Sequence, residues 1–61
     1  MAMIDVEVLQ IALSKEETAI ADYQEMLANH PSLNELLSFL ITEEQKHRKL
    51  IKNKISELTR Y

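Results

Sequence analysis

Glu44 and His47 stand three residues apart in the run Glu44-Gln45-Lys46-His47. On a helix that step is nearly one turn, so the carboxylate and the imidazole project from the same face. Counted in heptads, that face is otherwise apolar: Leu33, Leu37, Leu40, Ile51 and Leu58 fall on one seam, with Glu44 and His47 set between Leu40 and Ile51. A second carboxylate, Glu16, breaks another apolar line in the same way, between Leu13 and Ile20. Ionisable groups inside an apolar stripe are costly unless something compensates them. A metal ion does so, because carboxylate oxygen and imidazole nitrogen are both good ligands.

The elements that must position these groups follow from the absence of glycine and the single proline in 61 residues. The first helix is expected over about residues 6–29, with Asp5 as its N-cap. Its seam runs through Val6, Leu9, Leu13, Ile20 and Leu27, with Glu16 and Tyr23 in phase. Asn29-His30-Pro31 ends it, since Pro31 lacks an amide hydrogen and biases His30 away from the helical region. Ser32-Leu33-Asn34-Glu35 matches a capping box, and the second helix is expected over about residues 33–59 after a turn at 30–32. Residues 1–61 therefore read as one domain, an all-α antiparallel hairpin, without repeats or linkers. Glu16 lies fifteen residues before Pro31, while Glu44 and His47 lie thirteen and sixteen after it. In an antiparallel hairpin all three reach the same level on the inner face.

One hairpin cannot cover its own apolar surface. Leu36, Ile41, Leu50 and Ile55 widen the stripe of the second helix on both sides, which suits a helix touching two neighbours. Two hairpins forming a four-helix bundle are the simplest solution, and the homodimer then holds four carboxylates and two imidazoles at one level. A bundle with one Glu from each of two helices and Glu-x-x-His from each of the other two has the ligand inventory of a di-iron carboxylate centre. Iron suits the mixture, since hard carboxylates bridge two ions through a change of charge and imidazole adds a terminal nitrogen. Manganese and zinc remain open, because ligand type does not settle the metal. A smaller patch, Ile4, Val8 and Ile11, lies off the first seam and reads either as an exposed end or as a contact for assembling dimers into a ring or cage.

Composition excludes several classes. There is no cysteine, so disulfides, thiolate metal sites and rubredoxin-like or iron–sulfur carriers are ruled out. A chain this short usually needs a disulfide, a metal or a partner chain to fold stably, and the last two remain. Met1 to Ile4 lacks the basic and apolar regions of a signal peptide, and no stretch reaches membrane-spanning length. A soluble cytoplasmic protein without membrane contact is the expectation. The net charge of −3 hides an asymmetry: six of the seven Lys and Arg residues lie in the last sixteen positions, while the first half is acidic. Complementarity between the two helices of a hairpin is the plain reading, and a nucleic-acid surface the less favoured one.

Glu16-Glu17-Thr18-Ala19-Ile20-Ala21-Asp22-Tyr23 resembles the Glu-x-x-Ala-x-x-x-Tyr segment of rubrerythrin-type ferritin-like proteins. Glu43-Glu44-Gln45-Lys46-His47 followed by Leu50-Ile51 resembles their Glu-x-x-His helix. The likeness spans nearly the whole chain, but only as half of the usual four-helix domain, which makes it most similar to encapsulated ferritins, whose two-helix subunits build a di-iron site across a dimer interface. The resemblance implies that Glu16, Glu44 and His47 ligate iron and carry a ferroxidase reaction, with Tyr23 close by as a hydrogen-bonding neighbour of the ligands. It also implies an encapsulin-type shell as partner and a location inside such a cytoplasmic compartment. The closing residues Ser56-Glu57-Leu58-Thr59-Arg60-Tyr61 contain no targeting tail of that kind. Without a rubredoxin module, peroxidase activity would need a separate electron donor.

Two other readings compete. A helical-hairpin dimer could serve as an interaction module through the basic end of its second helix, with Glu44 and His47 as a polar pair at a loose seam. A structural metal site could pin the dimer without turnover. Among neighbouring groups, Glu17 is the alternative inner carboxylate to Glu16, Glu43 and His30 are expected in solvent, Met26 is expected in the core, and Tyr23 reads first as core with its hydroxyl satisfied.

Overall fold

The computed structural model describes residues 3–60, so readings that fall on Met1, Ala2 and Tyr61 lie outside the described residues. Two α-helices account for nearly all of it: α1, Asp5–Asn29, and α2, Asn34–Thr59, joined by a 3-10 turn over Pro31–Leu33. There is no strand among the described residues, and no helix is long and apolar enough to cross a membrane. The two helices pack along each other as a hairpin. Asp5, Val8 and Leu9 of α1 line the same groove as Lys54 and Leu58 of α2, which fixes the antiparallel sense.

The break falls where proline chemistry puts it. His30 leaves the helical region, with φ −136° and ψ 67°, as a residue before proline tends to do. Its amide donates to the Met26 carbonyl at 2.8 Å, and its own carbonyl accepts from the Leu33 amide at 2.9 Å. Both proposed caps differ from expectation. Ile4 occupies the N-cap position of α1 and Asp5 lies within the first turn, where with Glu7 it meets the positive end of the helix dipole. The Ser32 capping box does not form. Pro31, with its φ already fixed, opens a tighter turn that absorbs Ser32 and Leu33, so α2 starts at Asn34 with no side-chain cap. Asn34 instead accepts a hydrogen bond from the Ser38 hydroxyl at 3.0 Å.

The hairpin measures 46 × 23 × 12 Å. Its thinnest dimension is about one helix diameter, so the molecule is a single layer of two helices. Among the described residues only Ile20 and Leu37 are buried, at 6% and 5% exposure. Around them Val6, Leu9, Leu13, Tyr23 and Leu27 of α1 and Leu40, Ile41, Ile51 and Ile55 of α2 are half-buried. The ends of the expected α2 seam depart from it: Leu33 and Leu58 are exposed. Met26, expected in the core, is exposed as well.

Some of the exposed apolar residues share a side. Each helix turns about 100° per residue, so the residue preceding a seam residue points roughly a quarter-turn away from the partner helix. On α1 these residues include Val8, Ala12, Lys15, Ala19, Asp22 and Met26; on α2 they include Leu36, Phe39, Glu43, His47, Leu50 and Lys54. Because the helices are right-handed and antiparallel, both quarter-turns lead to the same broad face, and the groove shared by Val8 and Lys54 lies on it. Val8, Met26, Leu36 and Leu50 are all open to solvent there.

Among the described residues no Lys or Arg pairs with an acid of the other helix. The Lys pairs among the described residues, Lys46 with Glu43 and Lys54 with Glu57, lie within α2, each at 3.4 Å.

Leu37 is the most buried residue of α2, so Leu37→Ala should cost about 2–4 kcal/mol. Urea unfolding followed by helical circular dichroism reads this. An unchanged midpoint would remove Leu37 from the core.

Candidate metal centre

Glu16 is carried to the inner face of α1 by the spacing that also places Leu13 and Ile20 there. Glu44 lies on the facing row of α2, one turn after Leu40 and Ile41. The His47 Nδ1 atom stands 3.8 Å from Glu16 Oε2 and 3.8 Å from Glu44 Oε1. One ligand atom from each of the three residues falls within 4.8 Å of the others. The two carboxylates are largely sheltered, with side chains 24% and 21% exposed, whereas the imidazole is 50% exposed. His47 thus sits at the margin of the seam rather than within it, on the broad apolar face.

Glu16 Oε2 is buried and accepts no hydrogen bond. The 3.8 Å approaches of the imidazole are too long to satisfy it. A buried carboxylate oxygen without a partner is destabilising, and a cation is the partner that the surrounding donors suit. First-row metal ions hold oxygen and nitrogen ligands at about 2.0–2.2 Å, which brings donors on one ion to about 3 Å from each other. The cluster therefore needs to contract by less than a side-chain rotamer change to close around an ion. Three donors are also too few for the octahedral sites that oxygen-rich metal centres prefer. Further ligands have to come from water or from a second chain, and the exposed imidazole marks the open side.

The other singled-out groups lie elsewhere. Glu17 is exposed, so Glu16 takes the inner position of that pair. Glu43 is half-buried but engaged by Lys46. Tyr23 is half-buried two turns beyond Glu16, and no hydrogen bond among the described residues joins its hydroxyl to the cluster. His30 is exposed beside the turn. Arg48 is half-buried next to His47, which the sequence reading did not single out. The signal was present, since Arg48 lies four residues after Glu44 on the same row, and its long stem can lie along the seam while its charge reaches water.

The chain matches no protein-family model, no curated protein and no solved structure. The centre is thus defined by its own geometry. Shallow grooves at the turn (Leu33, Leu36, Phe39) and at the open end (Val8, Leu9, Leu58) lie apart from it and are mainly apolar.

Replacing Glu16 by methionine keeps the volume and removes the orphaned oxygen. In the presence of a chelator, Glu16→Met should stabilise the metal-free protein by about 1–3 kcal/mol, read as a higher thermal midpoint. A lower midpoint would mean that the carboxylate is satisfied in solution by a partner of its own.

Proposed function

We propose that this protein is a ferritin-like metalloprotein that binds iron between two copies of the hairpin and oxidises it from the ferrous to the ferric state. The observation that carries this reading is the convergence of Glu16, Glu44 and His47 from two helices around a buried oxygen that accepts no hydrogen bond. Nothing in a two-helix interaction module requires that arrangement, and leucine at these positions would pack better. The cluster also opens onto the exposed apolar face, so a second copy laid on that face would bring its own three donors to the same level. Two such sets supply four carboxylates and two imidazoles, the complement of a two-iron carboxylate site in a four-helix bundle. The likeness of the Glu16–Tyr23 and Glu43–Ile51 segments to rubrerythrin-type ferritins and encapsulated ferritins supports iron over manganese or zinc.

In this reading iron is the substrate. The carboxylates of Glu16 and Glu44 hold positive charge and favour the ferric product over the ferrous substrate, because added cationic charge is better stabilised by anionic oxygen. His47 supplies nitrogen and, at the margin of the site, completes its wall. The apolar rows of Leu13, Ile20, Leu37, Leu40 and Ile51 keep bulk water from the carboxylates. The electron lost by each ferrous ion passes to dioxygen or peroxide. A closed structural site would bind metal in the same place without consuming oxidant.

Anaerobic titration of metal-free protein with ferrous iron, then exposure to air, tests this reading when mass is measured under native conditions. The expected result is about one iron per chain, an even-numbered assembly, rapid ferric absorbance and dioxygen uptake. Glu44→Ala and His47→Ala should each abolish iron binding. Unchanged iron stoichiometry in both variants would sink the site, and binding without dioxygen uptake would leave a structural metal instead of a ferroxidase.

A further inference from the structure

The charges of the hairpin are sorted along its length. Residues 17–45 carry six acids and no Lys or Arg, while residues 46–60 carry six of the seven bases and one acid, Glu57. Two of those bases are engaged within α2, Lys46 by Glu43 and Lys54 by Glu57, each at 3.4 Å. Arg48, Lys49, Lys52 and Arg60 form no ion pair among the described residues. The acids of α1 do not reach them, so their counter-charge comes from outside the hairpin.

These free bases do not surround the helix. The residue that follows a seam residue points roughly a quarter-turn toward the other broad face, away from His47, Leu36 and Leu50. On α2 the residues so placed include Ser38, Gln45, Lys49, Lys52 and Ser56. On α1 each of them, from Glu7 to Ala28, is polar or alanine. Arg48 borders the seam on this side and is half-buried, and Arg60 ends the helix beyond Ser56. By the count that levels Glu16 with Glu44 and His47, the neutral Ser14 and Gln10 of α1 lie opposite Arg48 and Lys52. The result is a polar strip with free positive charge along α2 and no large apolar side chain among the residues so placed. From Arg48 to Arg60 it rises about 18 Å along the helix axis.

We propose that this strip binds the phosphate backbone of duplex DNA without regard to base sequence. What the strip lacks narrows the choice of partner. Lying in a lipid surface requires an apolar face beside the basic one, and a protein partner requires aromatic or aliphatic anchors at the centre of the contact. Single strands are held largely by stacking on aromatic side chains. Duplex RNA is recognised across two successive minor grooves, a span longer than this strip. Duplex DNA asks only for cations, because its phosphates present one charge per about 3.4 Å of each strand and contacts to them carry no sequence information. Over 18 Å, about five phosphates of one strand come within reach of the four bases. The same phosphates repel residues 17–45, which confines the contact to the open half of the hairpin. The strip lies on the face opposite His47, so a second copy laid over the apolar face leaves it open, and the inference stands apart from the metal reading.

Fluorescence anisotropy of a labelled, random-sequence duplex of about 20 base pairs, titrated with the protein from about 20 to 200 mM potassium chloride, reads this contact. Log affinity against log salt should fall with a slope of about −3 to −4, close to one unit for each base neutralised. Lys49→Gln with Lys52→Gln, both at exposed positions, should weaken binding at least about tenfold at the lowest salt and flatten the slope by about two. Helical circular dichroism of that variant should be unchanged. Lys46→Gln with Lys54→Gln removes the same charge from bases already paired within α2, and should weaken binding several-fold less. Equal losses in the two double variants would overturn the strip and leave net charge alone as the cause. No binding at the lowest salt, or tighter binding of a single strand or an RNA duplex of the same length, would overturn duplex DNA as the partner. Polyaspartate that competes as well per charge as unlabelled duplex would overturn it in favour of an acidic protein.

Discussion

Two helices share only one line of contact, and everything else in this structure answers to that limit. A layer 12 Å thick has no interior. A residue is shielded only where it faces the other helix, and even there its flanks see water, so among the described residues just Ile20 and Leu37 are buried and neither is sealed completely. The seam is the scarcest environment the chain has. Three of its central positions are nevertheless occupied or bordered by Glu16, Glu44 and His47, although apolar residues there would have extended the contact of Leu13 and Ile20 with Leu40 and Ile51. Without a metal the cluster weakens the hairpin. With one, the free energy of binding becomes free energy of folding, as it does whenever the unfolded chain cannot assemble the ligands.

Much of this was legible in the sequence because helical periodicity is a local property. Each residue named for the α1 seam, from Val6 to Leu27, is half-buried or buried, and counting outward from Pro31 was enough to bring Glu16 level with Glu44 and His47. The failures have physical causes. Heptad counting assumes 3.5 residues per turn, while a straight helix has 3.6 and drifts by about 20° per heptad. Over the heptads from Leu37 the drift carries Leu58 off the contact line, whereas Leu33 is exposed because it belongs to the 3-10 turn rather than to α2. Both caps were misplaced because capping signatures describe residue types, whereas the backbone at the turn obeys Pro31 first. The orphaned oxygen of Glu16 has no signature in sequence. It depends on which of two carboxylate atoms is turned inward and on what fails to reach it.

The half-exposure of His47 is as informative as the burial of the two carboxylates. An imidazole shielded on all sides would have described a site finished within one chain, and a fully solvated one would have described no site. An imidazole at the edge of the apolar face belongs to a boundary that another surface can close. The same face holds the exposed Leu36 and Leu50, so the part of the molecule with most to gain from leaving water is also the part where the ligand set is incomplete. Under the proposed reading these are one requirement. Apolar burial brings the second donor set to the metal, and the metal draws together two faces that bury too little within each hairpin.

Such coupling is reciprocal. Whatever factor the metal adds to the association of two hairpins, association adds to the affinity for metal. The chain's small size then works toward function. A larger core would hold the hairpin together without iron and would leave the cluster as an expense with no return. Under the proposed reading, stability, assembly and metal occupancy in a hairpin this thin are three readings of the same equilibrium.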